Sequence, residues 1–326
     1  MPEGLHWGLP VIGYLFLAGV GAGALTVSAS IFLRGGDPAR GMHVEVARYG
    51  AFVAPFPLMV GCGLLIFELG SFEAGHWFRW LNLYRVINLS PMSIGTWLLT
   101  MFIGVSLVYA YTFVRNAPGL PNERRYRLRR FLCWVAIPLG IATAVYTGIL
   151  LGAMPSRPFW NSPVLALLFL VSSLSTGVAA ILFARAIHGR IADSPEAHRQ
   201  HHHSGYLLTA SDVLLIGFEL MAIFLFLMFA HLTVGDVKYA VSVILFGSDV
   251  FKVNLAMTFW LWVVVVGLLI PALVELYYVI PRLLYQREFK APRGMEIVVP
   301  AAVLLGGFML RYVVVIAGQV TGPIGI

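Results

Sequence analysis

The sequence predicts an all-α integral membrane protein: eight transmembrane helices, set out as two parallel-repeat four-helix groups over residues 1–152 and 153–326. Three observations predict it. Of 326 residues, 59% are apolar and only 11% charged, against roughly 25% charged in a soluble globular chain. Eight apolar runs are each long enough to cross a bilayer. Residues of the first half recur, in order, in the second. A water-soluble chain of this size needs charge to coat its surface, so a soluble enzyme, a disordered chain and a disulfide scaffold are excluded. The cysteines, Cys62 and Cys133, sit inside apolar runs and suit neither a disulfide framework nor a cysteine-ligated cluster.

A hydrocarbon core roughly 30 Å thick takes about 20 residues of helix. The first run, residues 9–33, is too long for a signal peptide and its positive flank follows it, so it reads as an uncleaved span. The next three are residues 50–69, 93–114 and 131–151. The second half supplies 162–187, 207–231, 253–280 and 296–318. Residues 237–247 are too few to cross and are expected to lie at the interface or re-enter.

Orientation follows from lysine and arginine. Of 22, 16 fall at the loops after spans one, three, five and seven. Five fall at the opposite loops, and Arg311 lies inside span eight. Positive loops stay in the cytoplasm. Both termini, and the loops around Trp77, Trp160 and Asp236, are therefore expected outside a bacterial cytoplasmic (inner) membrane. The same distribution explains the net charge of +7 without nucleic acid.

The repeat rests on four ordered matches. Trp7-Gly-Leu-Pro10-Val11 with Leu15-Phe-Leu17 matches Trp160-Asn-Ser-Pro163-Val164 with Leu168-Phe-Leu170 at an offset of 153. Phe67-Glu68-Leu69 matches Phe218-Glu219-Leu220, Trp97-Leu98 matches Trp260-Leu261, and Pro138 matches Pro300 more weakly. Paired spans run the same way, so the implied pseudo-two-fold axis lies along the membrane normal.

Ionisable groups inside a span cost a few kcal/mol and are functional suspects by default. They are Glu68, Asp212, Glu219, Glu275 and Arg311. Asp212 and Glu219 are seven residues apart and share one face of span six. Two accounts stand: a proton path between helices, or a buried pair such as Glu219 with Arg311 that locks the bundle. The nine histidines all lie in loops or at span ends, which does not suit a haem ligated across helices. The His198–His203 cluster fits a solvated loop better than a metal site, so neither haem nor metal is expected in this chain.

The outer face is richer. His6, Trp7 and Tyr14 open span one, Tyr146 lies near the outer end of span four, and Arg157, Trp160 and Asn161 follow it. The loop after span two carries Trp77, Arg79 and Arg85. An aromatic belt explains most of the tryptophans. It explains less well two phenols set below the belt, since a buried phenol needs a hydrogen-bond partner. Gly19, Gly21, Gly23 and Ala24 suit close helix packing, or room for a flat ring.

These features together resemble the NrfD/PsrC family of membrane subunits of polysulfide-reductase-like respiratory complexes. The resembling stretches are residues 7–24, Leu89-Ser-Pro-Met-Ser-Ile-Gly-Thr-Trp97, Val145-Tyr146-Thr-Gly148, and Pro158-Phe-Trp-Asn161-Ser-Pro163 running into Ser172-Ser-Leu-Ser-Thr-Gly177. The resemblance implies eight helices, no haem, and a (mena)quinone or ubiquinone site close to an iron–sulfur partner. It makes Tyr146 a quinone contact, and matches Glu68 and Glu219 to intramembrane acids of a proton route. Some members carry a histidine near the start of the first helix; here Tyr14 stands at the matching position.

The expected function is a quinone-reactive subunit, not a complete enzyme by itself. Quinone contacts are expected from Tyr146, Tyr14, Glu68, His6 and Asn161. Protons would pass through Glu68, Asp212, Glu219, Glu275 and Arg311. Trp77, Arg79, Arg85, Arg157 and Trp160 would dock an iron–sulfur (ferredoxin-like) subunit and a molybdopterin-type catalytic subunit, since aromatics and arginine are enriched at interface cores. The rival reading is a secondary transporter or ion carrier. The repeat and the mid-membrane acids favour it; the lack of a span plainly broken at midplane speaks against it.

Overall fold

In the computed structural model, residues 7–35, 44–69, 79–85, 90–114, 122–154, 156–188, 195–233, 235–247, 254–285 and 292–320 are described. Among them all regular structure is helical, and eight helices are long and apolar enough to cross a membrane. In order they are α1 (Leu9–Arg34), α2 (Val44–Val53) continued by α3 (Pro55–Leu69), α5 (Pro91–Thr112), α6 (Asn122–Gly152), α7 (Pro163–His188), α8 (Pro195–His231), the run from α10 (Leu255–Met257) through a π-helical segment (Thr258–Leu269) into α11 (Ile270–Tyr285), and α12 (Arg293–Val320). A 3-10 turn (Arg79–Leu81) and α4 (Asn82–Arg85) precede α5. The short α9 (Gly235–Phe246) precedes α10.

Local chemistry sets the starts and breaks. Ser90 caps α5 by accepting from Ser93 N–H at 3.3 Å, with Pro91 in the first turn, where proline's missing donor costs nothing. Asn254 caps α10 through Met257 N–H at 3.1 Å. Span two is divided at Ala54, just before Pro55, whose ring cannot donate into the helix ladder. Two helices extend well beyond their apolar spans. α6 starts at Asn122 and α8 at Pro195, so the basic residues 124–130 and the histidine-bearing residues 201–203 continue the helices past the apolar core. Nothing in those segments forces a stop, and a helix satisfies its own backbone in water as in lipid.

The segment expected to be too short to cross forms α9. It buries Val237, Ala240, Val241, Val243 and Ile244, one face of a helix, against α8, α12 and the π segment. The loop after it turns at Gly247, whose φ of +84° suits glycine.

α1 lies at the centre, packed against α2, α3, α6, α7 and α12. α1, α3, α5 and α6 close one ring of contacts; α7, α8, the π–α11 run and α12 close another. The rings join along α1–α7, α6–α7 and α1–α12. Where α1 meets α7, a Cβ on Gly23 would overlap the Ser173 carbonyl and one on Gly177 would overlap the Gly23 backbone. Backbones touch there, as small residues allow in lipid. The offset of 153 would put these two glycines within one residue of equivalence.

Candidate functional site

The N- and C-terminal helices meet at one end of the bundle. Trp7 N–H donates to Gln319 Oε1 at 3.1 Å, and Gln319 Nε2 returns a bond to the Trp7 carbonyl at 3.0 Å. Arg157 donates to the Gln319 carbonyl at 2.6 Å. The Trp160 indole N–H donates to the Val314 carbonyl at 2.9 Å, and its ring lies 5.3 Å from that of Trp7. A Cβ on Gly318 would overlap the Trp160 indole. Trp160 is 1% exposed. Its placement on a docking surface is therefore corrected: its ring is covered by α12 and its one donor is used inside the fold. Arg157 is half-buried and ties down the end of α12, whereas Arg85 and Asn161 are exposed. Arg79 starts the 3-10 turn, but its side chain is not described. His6 and Trp77 lie outside the described residues.

Beside this clasp is a cavity of about 150 Å³ lined by Trp7, Val11, Tyr14, Leu65, Leu83, Met92, Thr96, Leu99, Tyr146 and Leu150. Helices α1, α3, α5 and α6, with α4, build it. The two phenols expected at a site thus face one space. Their environments differ. Tyr146 donates its hydroxyl proton to the Pro91 carbonyl at 3.1 Å, and its ring occupies room that exists because Gly95 has no side chain. Tyr14 is fully buried, and among the described residues nothing is hydrogen-bonded to its hydroxyl. Exposed Met92 stands at the rim. Glu68 lies in the last turn of α3; its side chain is not described. Asn161 does not line this cavity.

A second polar group is buried between α1, α7, α8, α11 and α12. Arg311 is fully buried. Its Nε donates to the Leu15 carbonyl at 3.2 Å. One terminal nitrogen donates to the Gly307 carbonyl at 2.8 Å and to Ser172 Oγ at 3.1 Å, and the other to Ser173 Oγ at 3.1 Å. Phe16 and Phe169 offer ring faces at 5.8 and 5.3 Å. A Cβ on Gly19 would come within 2.5 Å of the guanidinium, so α1 needs a glycine there. Ser172 Oγ, which accepts from Arg311, also interacts with Glu219 on α8. Asp212 accepts from Ser175 Oγ at 2.9 Å. Among the described residues, Asp212 Oδ2 and Glu275 Oε2 have no hydrogen-bond partner, although both side chains are buried. The two acids are near enough to act on each other electrostatically.

The structure therefore brings Tyr14 and Tyr146 together, and Glu219, Asp212, Glu275 and Arg311 together. The two groups are adjacent along α1, since Arg311 grips the carbonyl of the residue after Tyr14. The sequence reading missed Ser172, Ser173 and Ser175 as partners, though the serine-rich run in α7 was a visible signal. It also missed Arg185, counted as a loop charge. Arg185 is 2% exposed, donates to Ser204 Oγ at 3.1 Å and pairs with Glu296 at 3.5 Å. An arginine at a span end gives no hint that it turns inward.

Comparison with known proteins matches this arrangement to a family. The family model described as "Polysulphide reductase, NrfD" matches residues 1–323. The protein is 30% identical to the C subunit of polysulfide reductase from Wolinella succinogenes over 328 residues, covering 96% of this sequence and 94% of the relative. It is 29% identical to NrfD of Escherichia coli over 338 residues, at 98% and 96% coverage. It is also 29% identical to an NrfD homolog of Haemophilus influenzae over 332 residues, at 97% and 95%. With eight apolar helices and a family match over nearly its whole length, this multi-pass membrane protein belongs to the NrfD polysulphide reductase family.

Proposed function

We propose that the protein is the quinone-reactive membrane subunit of a respiratory oxidoreductase complex, exchanging electrons between an iron–sulfur partner and a quinone held in the Trp7–Tyr14–Tyr146 cavity. The observation that carries this reading is the cavity itself: apolar walls, two phenols, and a Tyr14 hydroxyl with its proton uncommitted among the described residues. These residues fit a quinone, which needs apolar contact for its ring and donors for its oxygens. A bound quinone supplies the two-electron, two-proton chemistry; the protein supplies position, hydrogen bonds and protons. Tyr14 is the donor in this scheme. Tyr146, anchored to Pro91, holds its ring as a wall. Leu99 and Leu150 exclude water.

The family membership supports a place in a reductase complex, since one relative is named as the C component of polysulfide reductase. We assign the partners, an iron–sulfur subunit and a molybdopterin-type catalytic subunit, to the end of the bundle that carries Trp7, Arg85 and Asn161. The arginine and lysine distribution supports placing this end, with both termini, outside the cytoplasmic membrane. The buried acids are assigned to proton movement: Ser175 and Ser172 extend Asp212 and Glu219 toward each other across a separation of roughly 10 Å along α8. The two contact rings support reading the halves as repeats.

Photo-crosslinking of the intact complex with an azido-quinone tests the site. Label is expected on the peptides carrying Tyr14 and Tyr146. Label confined to other helices, or recovery of the protein only as a homo-oligomer without redox subunits, overturns the reading.

A further inference from the structure

At the opposite end of the molecule a second concavity lies where α2 passes into α3 beside the end of α7. It is lined by Glu45, Arg48, Tyr49, Phe52, Val53, Phe56, Pro57, Ala184 and His188, and measures about 860 Å³. Its chemistry is graded along its length. Glu45, Arg48, Tyr49 and His188 cluster at the end where α2 starts and α7 stops, with Glu45, Arg48 and His188 exposed. Phe52, Val53, Phe56 and Pro57 continue the groove toward the middle of the span, with Phe56 59% exposed. At about 1.5 Å per residue, Glu45 and Pro57 are roughly 18 Å apart along the helix. That is close to one leaflet of a hydrocarbon core about 30 Å thick. The helix break before Pro55 falls within the stretch that lines the groove, and half-exposed Ala184 of α7 lines it from the other side.

We propose that this groove is a binding site for one phospholipid with a phosphate and a primary ammonium in its headgroup, a phosphatidylethanolamine. The Arg48 guanidinium, the Tyr49 hydroxyl and the His188 imidazole are donors for phosphate oxygens. Basic pockets between spans commonly hold lipid headgroups. Glu45, three residues from Arg48 and in the same lining, would repel a purely anionic headgroup and pair with an ammonium. One acyl chain then follows Phe52, Val53 and Phe56 into the membrane. Arg48 also stands over the Phe52 ring at 5.8 Å, which joins the polar end of the groove to its apolar course.

Native mass spectrometry of the full-length protein in mild detergent tests the proposal, with phosphatidylethanolamine, phosphatidylglycerol and free phosphorylethanolamine titrated separately after delipidation. The wild type is expected to prefer phosphatidylethanolamine over phosphatidylglycerol by about tenfold or more. Arg48→Glu is expected to weaken that binding by a similar factor. Glu45→Gln is expected to abolish the preference while phosphatidylglycerol binding holds or rises. Free phosphorylethanolamine is expected not to bind at the same concentrations, because it lacks the acyl tail that the apolar course receives. The proposal is overturned by equal binding of the two lipids to wild type, by equal phosphatidylethanolamine binding to wild type and Arg48→Glu, or by competition from the free headgroup. Thermal unfolding checks that Arg48→Glu is folded, and Glu45→Gln decides alone should it not be.

Discussion

The Tyr146 hydroxyl donates to the Pro91 carbonyl at 3.1 Å, joining α6 to the first turn of α5. A phenol reaching that carbonyl fixes both helices at the cavity wall. A phenol has one proton to give. Tyr146 has given it to Pro91, whereas Tyr14, across the same cavity, has no acceptor among the described residues.

Tyr14→Phe is accordingly expected to slow quinol-coupled turnover more than Tyr146→Phe. One hydrogen bond worth roughly 0.5–1.5 kcal/mol corresponds to about a two- to tenfold loss. Tyr146→Phe should instead lower the melting temperature, with smaller loss of turnover. Rates with an artificial soluble acceptor at the catalytic subunit serve as the control and should match wild type for both. A larger turnover defect in Tyr146→Phe would reverse the two assignments.

Gly95 tests the cavity by its shape. A Cβ there would overlap the Tyr146 hydroxyl, so Gly95→Ala must push the ring away from Pro91 and into the cavity. Overpacking of this kind costs about 1–3 kcal/mol. The complex should still assemble and reduce or oxidise its soluble substrate, while the quinone-coupled rate falls about tenfold, the lower part of that energy range. Normal quinone kinetics in assembled Gly95→Ala would remove Tyr146 from the site.

Much of the fold was legible because lipid imposes a simple rule: apolar runs of about 20 residues become helices. The eight spans follow from it, as does the short α9. The site was half legible. Tyr14 and Tyr146 stood out as phenols below the belt, and Glu219 and Arg311 as charges in apolar runs. What the sequence could not show was which neighbour each group finds. Trp160 looks like a belt residue until Gly318 is seen to make room for it. The sequence left Glu219 open as a partner of Arg311, but the guanidinium donates to Ser172, Ser173 and two carbonyls, because serines on α7 face the same interior. The close approach of the π segment to α12, where Gly267 meets Gly306, depends on packing between spans, which periodicity alone does not encode.

Arg311 holds four side-chain or backbone oxygens from three helices: Leu15, Gly307, Ser172 and Ser173. Arg311→Met keeps much of the length but takes a donor from all four acceptors and leaves Glu219 without its nearby cation. Breaking such buried charge networks costs about 3–5 kcal/mol. Low membrane yield or a clearly lowered melting temperature is expected, with Gly19→Ala showing a milder version because its Cβ meets the guanidinium at 2.5 Å. Wild-type stability in both variants would show that the guanidinium network is dispensable.

Docking is best probed away from Arg157, since reversing its charge would also unlatch the Gln319 carbonyl. Arg85 is exposed, so its charge can be reversed without opening the bundle. Arg79→Glu combined with Arg85→Glu is expected to release the redox subunits on size-exclusion chromatography while the membrane subunit elutes as a folded species. A full complex surviving both reversals at physiological salt moves the docking face elsewhere.

Glu219 separates proton movement from bundle stability. It interacts with the Ser172 hydroxyl, which accepts from Arg311, and it is 2% exposed. Glu219→Gln retains the length and a carbonyl acceptor for Ser172 but cannot ionise. If Glu219 only holds helices together, the variant should assemble and turn over quinol as wild type does. If it carries protons, assembly and soluble-acceptor rates stay normal while quinone-coupled proton uptake in proteoliposomes falls about tenfold, a barrier raised by about 1.4 kcal/mol. Asp212→Asn provides the internal check, because Ser175 can donate to the amide oxygen as it does to Asp212 Oδ1 at 2.9 Å. A route running through both acids predicts that the two variants are no worse together than the more severe one alone, since either already blocks the path. Additive losses would mean that Glu219 and Asp212 act separately, and that no single route passes through both.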